Sequence, residues 1–235
     1  MLKFVAMFLA AMAFGLSAMQ AGAVQSAAVD TMTLTAPEDI DPLSAGPIPL
    51  TADNRADVEQ ALQNSGLGLD EDCHMTESEK AATEVRHEEI PKGICKNRSN
   101  ELVYVASKRV MVACLSQKVE MAMRMSHGSN GLEKTMRDNR KSPVGTYWLG
   151  YPRVSKRFGI FIPVGYPNLD EIKKGYTGSD IGIHGPLRFL KCTPYASLAG
   201  HWTAGCLAMG RDTQLVELSR WLLDHWPVKL TIKIE

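Results

Sequence analysis

A mainly β fold, α+β overall, is predicted for this 235-residue chain, and three observations predict it. From Glu101 onward apolar and polar residues alternate, the period of strands whose two faces meet different surroundings. One stretch of helical period, Asp212 to Asp224, interrupts that pattern near the end. Between residues 53 and 98 large apolar side chains are too few for a core, so that segment is expected to dock on the β-rich remainder of the chain.

Residues 1–23 read as an export signal. Lys3 gives the positive start, Phe4 to Met19 the short apolar run, and Ala21-Gly22-Ala23 the cleavage pattern. An uncleaved anchor is the competing reading, weakened by Gly15 and Ser17 in an already short span. No other segment is apolar enough to cross a membrane, so no stable membrane anchor is expected after cleavage. The mature protein is placed in the periplasm or cell envelope. Residues 24–52, rich in Pro, Ala, Thr, Asp and Gly without sustained period, read as a disordered linker.

Residues 53–98 form a small acidic helical segment. One helix is predicted from Asp53, as its cap, to Leu62. A second runs from Thr76 to Glu88, opened by Thr76-Glu77-Ser78-Glu79 and stopped by Pro91 and Gly93. Strands follow at Leu102–Ala106, Arg109–Leu115 and Lys118–Met125. In the third, Val119, Met121, Met123 and Met125 share a face opposite Lys118, Glu120 and Arg124, which reads as core packing rather than a metal site. After a long connection from Ser126 to Pro143, strands are expected at Gly145–Gly150 and Phe158–Gly165, and Ile181-Gly182-Ile183 leads into His184. Asp212 caps a helix that buries Leu215, Leu218 and Leu222, and Val228 to Ile234 alternate as a closing strand. There are no internal repeats.

Net charge is zero but unevenly spread. Residues 24–98 hold 15 acidic and 6 basic side chains, and residues 99–235 hold 11 acidic and 19 basic. The C-terminal part should attract anions, and the acidic segment could lie against it or be merely solvated. Five cysteines in an exported chain leave one unpaired. Cys73 with Cys95 and Cys114 with Cys192 are the expected pairs, although Cys114 also suits an unpaired core thiol. Cys206 is then left over.

Cys206 is also where the chemistry points. It closes Thr203-Ala204-Gly205-Cys206, with His184-Gly185 about two dozen residues upstream. A thiol attacks acyl groups as the thiolate and needs an imidazole to take its proton, while small neighbours let backbone N–H groups face an oxyanion. The competing readings are a buried structural thiol and a redox-sensitive pair with Cys192. Zinc held by His184, His201 and Cys206 is disfavoured for want of close ligand spacing and a fourth ligand. A papain-like order would place cysteine before histidine, and Gly128-Ser129-Asn130-Gly131 lacks the lysine of a phosphate loop. Neither a nucleotide nor a nucleic-acid partner is indicated.

The segment Asp138-Asn139-Arg140-Lys141-Ser142-Pro143-Val144-Gly145-Thr146-Tyr147, then Arg157-Phe158-Gly159, Gly165-Tyr166-Pro167-Asn168, Ile183-His184-Gly185 and Thr203-Ala204-Gly205-Cys206, resembles the L,D-transpeptidase (YkuD-type) catalytic domain. The resemblance covers residues 101–235 and implies, for residues 99–235, a β-sandwich-like catalytic domain with a helix packed after the nucleophile. It implies that Cys206 is the nucleophile, His184 the base and Gly185 the carbonyl that orients it. It makes Gly205 and Cys206 the oxyanion donors and requires no cofactor and no metal. The implied substrates are peptidoglycan stem peptides: Cys206 displaces the terminal D-alanine after diaminopimelate, and the thioester passes to an amine of a second stem. With water as acceptor the same fold is an L,D-carboxypeptidase or stem-peptide hydrolase, and a silent site would make it a wall-binding module. Candidate substrate contacts are His201, Tyr166, Arg188 and Thr203. Two positions depart from the family pattern: Ala208 where a basic residue is frequent, with Arg188 or Arg211 as stand-ins, and Ala204 where histidine is frequent.

Overall fold

The computed structural model describes residues 41–67, 73 and 75–235; the expected export signal, and the linker up to residue 40, lie outside the described residues. The period-two segments form β1 (Glu101–Val105), β2 (Val110–Leu115), β3 (Lys118–Ser126), β4 (Gly145–Trp148), β5 (Arg153–Ser155), β6 (Gly159–Pro163), β7 (Gly182–His184), β8 (Leu207–Met209) and β9 (Lys229–Lys233). They join one mixed sheet in the order β4-β9-β1-β2-β3-β8-β7-β6-β5. Strands β5 and β8 were not expected. Both are three residues long, too short to display a period in sequence.

β3 turns the sheet. Its first part pairs with β2 through Arg124, and its last residues, Met125 and Ser126, pair with β8. At the far side Leu149, just after β4, bridges to Val164 after β6, and Gly150 N–H donates to Pro163 O at 2.8 Å. The sheet therefore curls until its two halves face each other. Leu102, Tyr104, Met111, Met123 and Met125 from one half meet Ile160, Ile162, Ile183 and Leu207 from the other. The methionine face is thus core, although Val119 at its start is exposed.

Among the described residues six α-helices accompany the sheet: α1 (Pro42–Ala45), α2 (Ala52–Asn64), α3 (Glu77–Thr83), α4 (Leu169–Lys173), α5 (Pro194–Leu198) and α6 (Asp212–Asp224). α1 corrects the expectation of disorder up to residue 52, because Leu43 is buried and the segment from Asp41 is ordered against the domain. The cap of α2 is Thr51 rather than Asp53: the Asn54 N–H donates to Thr51 Oγ1, and Asn54 Oδ1 accepts from the Thr51 N–H. α3 ends at Thr83, short of the expected Glu88, and a 3-10 turn takes over at His87–Glu89. Asp212 is the first residue of α6, not its cap, and its carboxylate receives Arg188 instead.

β1 and β2 depart from simple alternation, since Val103, Val105, Val110 and Val112 on their outer face are as buried as the inner residues. The acidic segment supplies the cover. Val85, Ile90, Ile94 and Cys95 pack there, and Glu89 pairs with Arg124 of β3 at 2.7 Å. That cover also corrects the cysteine pairing. Cys114 points outward from β2 and meets Cys95, Cα–Cα 5.3 Å, while Cys73 meets Cys192, Cα–Cα 4.9 Å. Cys73 does not bridge to Cys95 because the stretch around Val85, Ile90 and Ile94 folds over β1 and β2, where Cys95 meets Cys114. Cys206 alone is free among the described cysteines.

Peptide mapping without reduction should recover Cys95–Cys114 and Cys73–Cys192 as the linked pairs. Replacing Cys95 and Cys114 together by alanine should cost about 3 kcal/mol in urea unfolding, the entropy of a short closed loop.

Candidate active site

β7 and β8 run parallel, with Ile183 opposite Leu207 and His184 opposite Ala208. One step back, that register sets Gly182 beside Cys206. Residues two apart along a strand share a face, so the His184 side chain is the diagonal neighbour of Cys206. A Cβ on Gly182 would lie 2.3 Å from the Phe161 ring, which is why glycine sits opposite the thiol.

His184 is almost fully buried, stacked on Phe158 at 3.9 Å between ring centroids, with Trp202 edge-on at 5.6 Å. Its Nδ1 lies 2.8 Å from the carbonyl oxygen of Gly185. A carbonyl can only accept, so Nδ1 carries the proton and Nε2 keeps the lone pair of the neutral ring. Burial holds the imidazole down to about 4, the Gly185 bond opposes this, and the charge of Arg157 adds to the lowering.

The Cys206 sulfur is partly open to the cleft, and its S–H donates to the carbonyl oxygen of Asp180 at 3.4 Å. Desolvation pushes the thiol up to about 11. The Gly182 N–H, Lys134 and Arg157 pull the other way, and Asp180 adds to the rise. At neutral pH the pair is therefore thiol and neutral imidazole.

The loop before Cys206 is held by hydroxyls. Thr203 Oγ1 donates to the Cys206 carbonyl at 2.7 Å and accepts from the Gly205 N–H at 3.2 Å. Ser142 Oγ donates to the Gly205 carbonyl at 2.7 Å and accepts from the Gly128 N–H at 2.9 Å. Gly205 sits at φ +132°, and a Cβ there would meet Lys141 O at 2.7 Å, so this turn requires glycine. Lys134 is buried in the adjoining loop, donating from Nζ to Met136 O at 3.1 Å and Asn139 Oδ1 at 3.2 Å.

Cys206 and His184 open into one cleft of about 700 Å³, lined also by Phe158, Phe161, Trp202, Thr203 and Asp180. Three arginines, Arg140, Arg153 and Arg157, complete its wall. None of the three forms an ion pair among the described residues. Arg153 and Arg157 lie over the rings of Phe161 and Phe158, and Arg140 Nε donates to Ser129 Oγ at 2.8 Å. These arginines were missed as site residues in the sequence. Arg140 and Arg157 stand inside the family-like motif segments, which was the available signal.

Of the expected substrate contacts, Thr203 lines the cleft and the other three do not. Tyr166 is buried, and its hydroxyl donates to Lys134 O at 3.1 Å, so it anchors a loop. Arg188 is taken by Asp212. His201 stacks on His127 at 3.5 Å, and the His127 ring in turn meets the Tyr104 hydroxyl at 2.7 Å, so His201 pins the loop from outside. Gly205, an expected oxyanion donor, has its N–H directed at Thr203 Oγ1 instead. Ala208 is buried in β8, where a long basic side chain has no room. Among the described residues, none of the acidic segment lines the cleft. Among the described residues no three His, Cys, Asp or Glu side chains are grouped to hold a metal ion, and no helix is long and apolar enough to cross a membrane.

Residues 101–230 match the family model of the L,D-transpeptidase (YkuD) catalytic domain. Among solved structures, a helical cell shape determining protein, Pgp2, from Campylobacter jejuni is 20% identical, with 57% of this chain and 46% of that chain covered and a TM-score of 0.44. Bd1075 from Bdellovibrio bacteriovorus is 18% identical over 58% of this chain and 49% of that one, TM-score 0.40. An L,D-transpeptidase from Mycobacterium tuberculosis is 13% identical over 57% of each chain, TM-score 0.37. The matched part spans about half the length of each of these proteins. No curated protein matches the chain.

Alkylation of Cys206 by iodoacetamide should speed up about tenfold per pH unit between roughly pH 7 and 9, because only the thiolate reacts and the thiol is raised. A rate flat across that range would indicate a preformed thiolate–imidazolium pair. Ser142→Ala should strip partners from the buried Gly128 N–H and Gly205 carbonyl, costing about 1–3 kcal/mol in urea unfolding and slowing that alkylation.

Proposed function

We propose that this chain, which belongs to the YkuD family of L,D-transpeptidase catalytic domains, is a cysteine acyltransferase acting on peptidoglycan stem peptides in the periplasm or cell envelope. One observation carries the reading: Cys206 and His184 share a strand face in one cleft, with His184 Nδ1 anchored on Gly185 so that Nε2 is free for the thiol proton.

Nε2 accepts the proton, and the sulfur attacks the carbonyl that follows the L-centre of diaminopimelate. The C–S bond forms while negative charge gathers on the carbonyl oxygen, beside the Cys206 N–H. Collapse breaks the C–N bond, and the imidazolium returns its proton to the departing D-alanine. The burial that holds His184 down to about 4 makes that imidazolium a strong acid, suited to this second transfer. An amine of a second stem then takes the acyl group and releases the thiol.

A stem peptide carries several carboxylates, and the cleft offers Arg140, Arg153 and Arg157 against the single carboxylate of Asp180. The guanidiniums of Arg153 and Arg157, held over the rings of Phe161 and Phe158, have N–H donors to offer for a bidentate grip. They take over the role of the basic residue that is frequent two positions after the cysteine in the family.

Muropeptides incubated with the protein should yield dimers joined through two diaminopimelate residues, seen by mass spectrometry and absent with Cys206→Ala. Tripeptide without dimer would make the enzyme a carboxypeptidase, and no product with either protein would overturn the substrate assignment. Arg157→Ala should raise KM for tetrapeptide about tenfold through a lost charge-assisted hydrogen bond.

A further inference from the structure

A second compartment of about 490 Å³ adjoins the catalytic cleft, and the two share Arg153, Phe161 and Asp180 as a common wall. Its outer wall is made by Asp41, Leu43, Ile48 and Val58, all upstream of the 101–230 span matched by the family model. That wall is built in. Leu43 is 2% exposed, and its carbonyl oxygen comes so close to Gly165 that a Cβ there would lie 2.4 Å from it. The Ile48 carbonyl accepts from Trp226 Nε1 at 2.8 Å and from the Tyr151 hydroxyl at 3.3 Å. Tyr151 also accepts from Asn54 of α2 at 3.3 Å, which ties α2 to the β4–β5 connection.

The two compartments differ in charge. The catalytic cleft carries three arginines, whereas this one carries carboxylates on Asp41 and Asp180 with a single shared arginine and otherwise apolar or aromatic walls. Asp180 also stands at the thiol, since its carbonyl oxygen accepts from Cys206 Sγ. A cationic group on an aliphatic chain fits between Ile48, Val58 and Pro163, with its charge toward the carboxylates.

Resting on the acyl-transfer reading above, we propose that this compartment seats the acyl acceptor, a chain ending in a primary amine, and that the segment from Asp41 to Val58 selects it. The amine enters as the ammonium, sheds one proton to solvent and attacks the Cys206 thioester. The new C–N bond forms as the C–S bond breaks, and the second amine proton passes through His184 to the departing sulfur. A filled compartment keeps water from the thioester, so its occupancy sets the balance between cross-linking and hydrolysis.

The test uses purified disaccharide-tetrapeptide as donor and acceptor, with dimer and tripeptide quantified by mass spectrometry. Acylation of Cys206 by a carbapenem is followed separately. Asp41→Asn keeps the oxygen that caps α1 through the Leu43 N–H and removes the charge. Val58→Phe fills the space from α2. Each should lower the dimer-to-tripeptide ratio about threefold, the scale of one solvent-exposed charge contact, while the acylation rate stays within about twofold. Should Val58→Phe fail to fold by circular dichroism, the exposed Asp41→Asn carries the test. An unchanged ratio, a fall in tetrapeptide consumption at constant ratio, or a wild-type protein that acylates yet makes only tripeptide would each overturn the proposal. A wild-type protein whose Cys206 resists the carbapenem would instead overturn the acyl-transfer reading, and this proposal with it.

Discussion

The parallel pairing of β7 with β8 is the constraint on which the candidate site depends. Ile183 opposite Leu207 and His184 opposite Ala208 leave no freedom in where Cys206 stands: beside Gly182 and diagonal to the imidazole. A slip of one residue would turn His184 to the other face and separate the pair. The rest of the fold holds that register. β3 bends to supply the outer neighbour of β8, β6 flanks β7, and the buried side chains of α6 close the core behind them.

Burial around this pair works in two directions. It neutralises both groups at rest, pressing the thiol up and the imidazole down, so the site stores no ion pair. The same dry surroundings strengthen each fixed dipole and charge once a thiolate forms, the Gly182 N–H and the Lys134 and Arg157 charges among them. Arg153 and Arg157 of the cleft are positioned by packing over Phe161 and Phe158, and Arg140 by its hydrogen bond to Ser129, rather than by ion pairs. The cleft thus holds three guanidiniums against the one carboxylate of Asp180.

The described residues between Asp41 and Arg98 are part of the same body as the sheet. One stretch completes the second face of β1 and β2 and is bonded there by Cys95–Cys114, and another, from Asp41, seals the join between β4 and β6. These segments could not be placed from sequence because each relies on a surface that other elements form, the first on β1 and β2 and the second on residues about a hundred positions away. Low local hydrophobicity read as linker, yet a single buried Leu43 is enough to seat a short helix when the receiving groove is already formed.

What the sequence by itself determined is local in origin: the period-two strands, the amphipathic face of α6, and the small-residue turn ahead of a cysteine with His-Gly upstream. Strand period follows from backbone geometry and the turn from the φ that only glycine accepts easily, so both are visible in a few consecutive letters. Tertiary structure decided the remainder. It chose Cys114 and Cys192 as partners for the other two cysteines, took Tyr166 and Arg188 out of the site, directed the Gly205 N–H to Thr203 and brought three arginines in. Most of those outcomes turn on which groups the curled sheet brings together. A side chain's role there depends on what neutralises or accepts its hydrogen bonds, as Asp212 does for Arg188 and the Lys134 carbonyl for Tyr166.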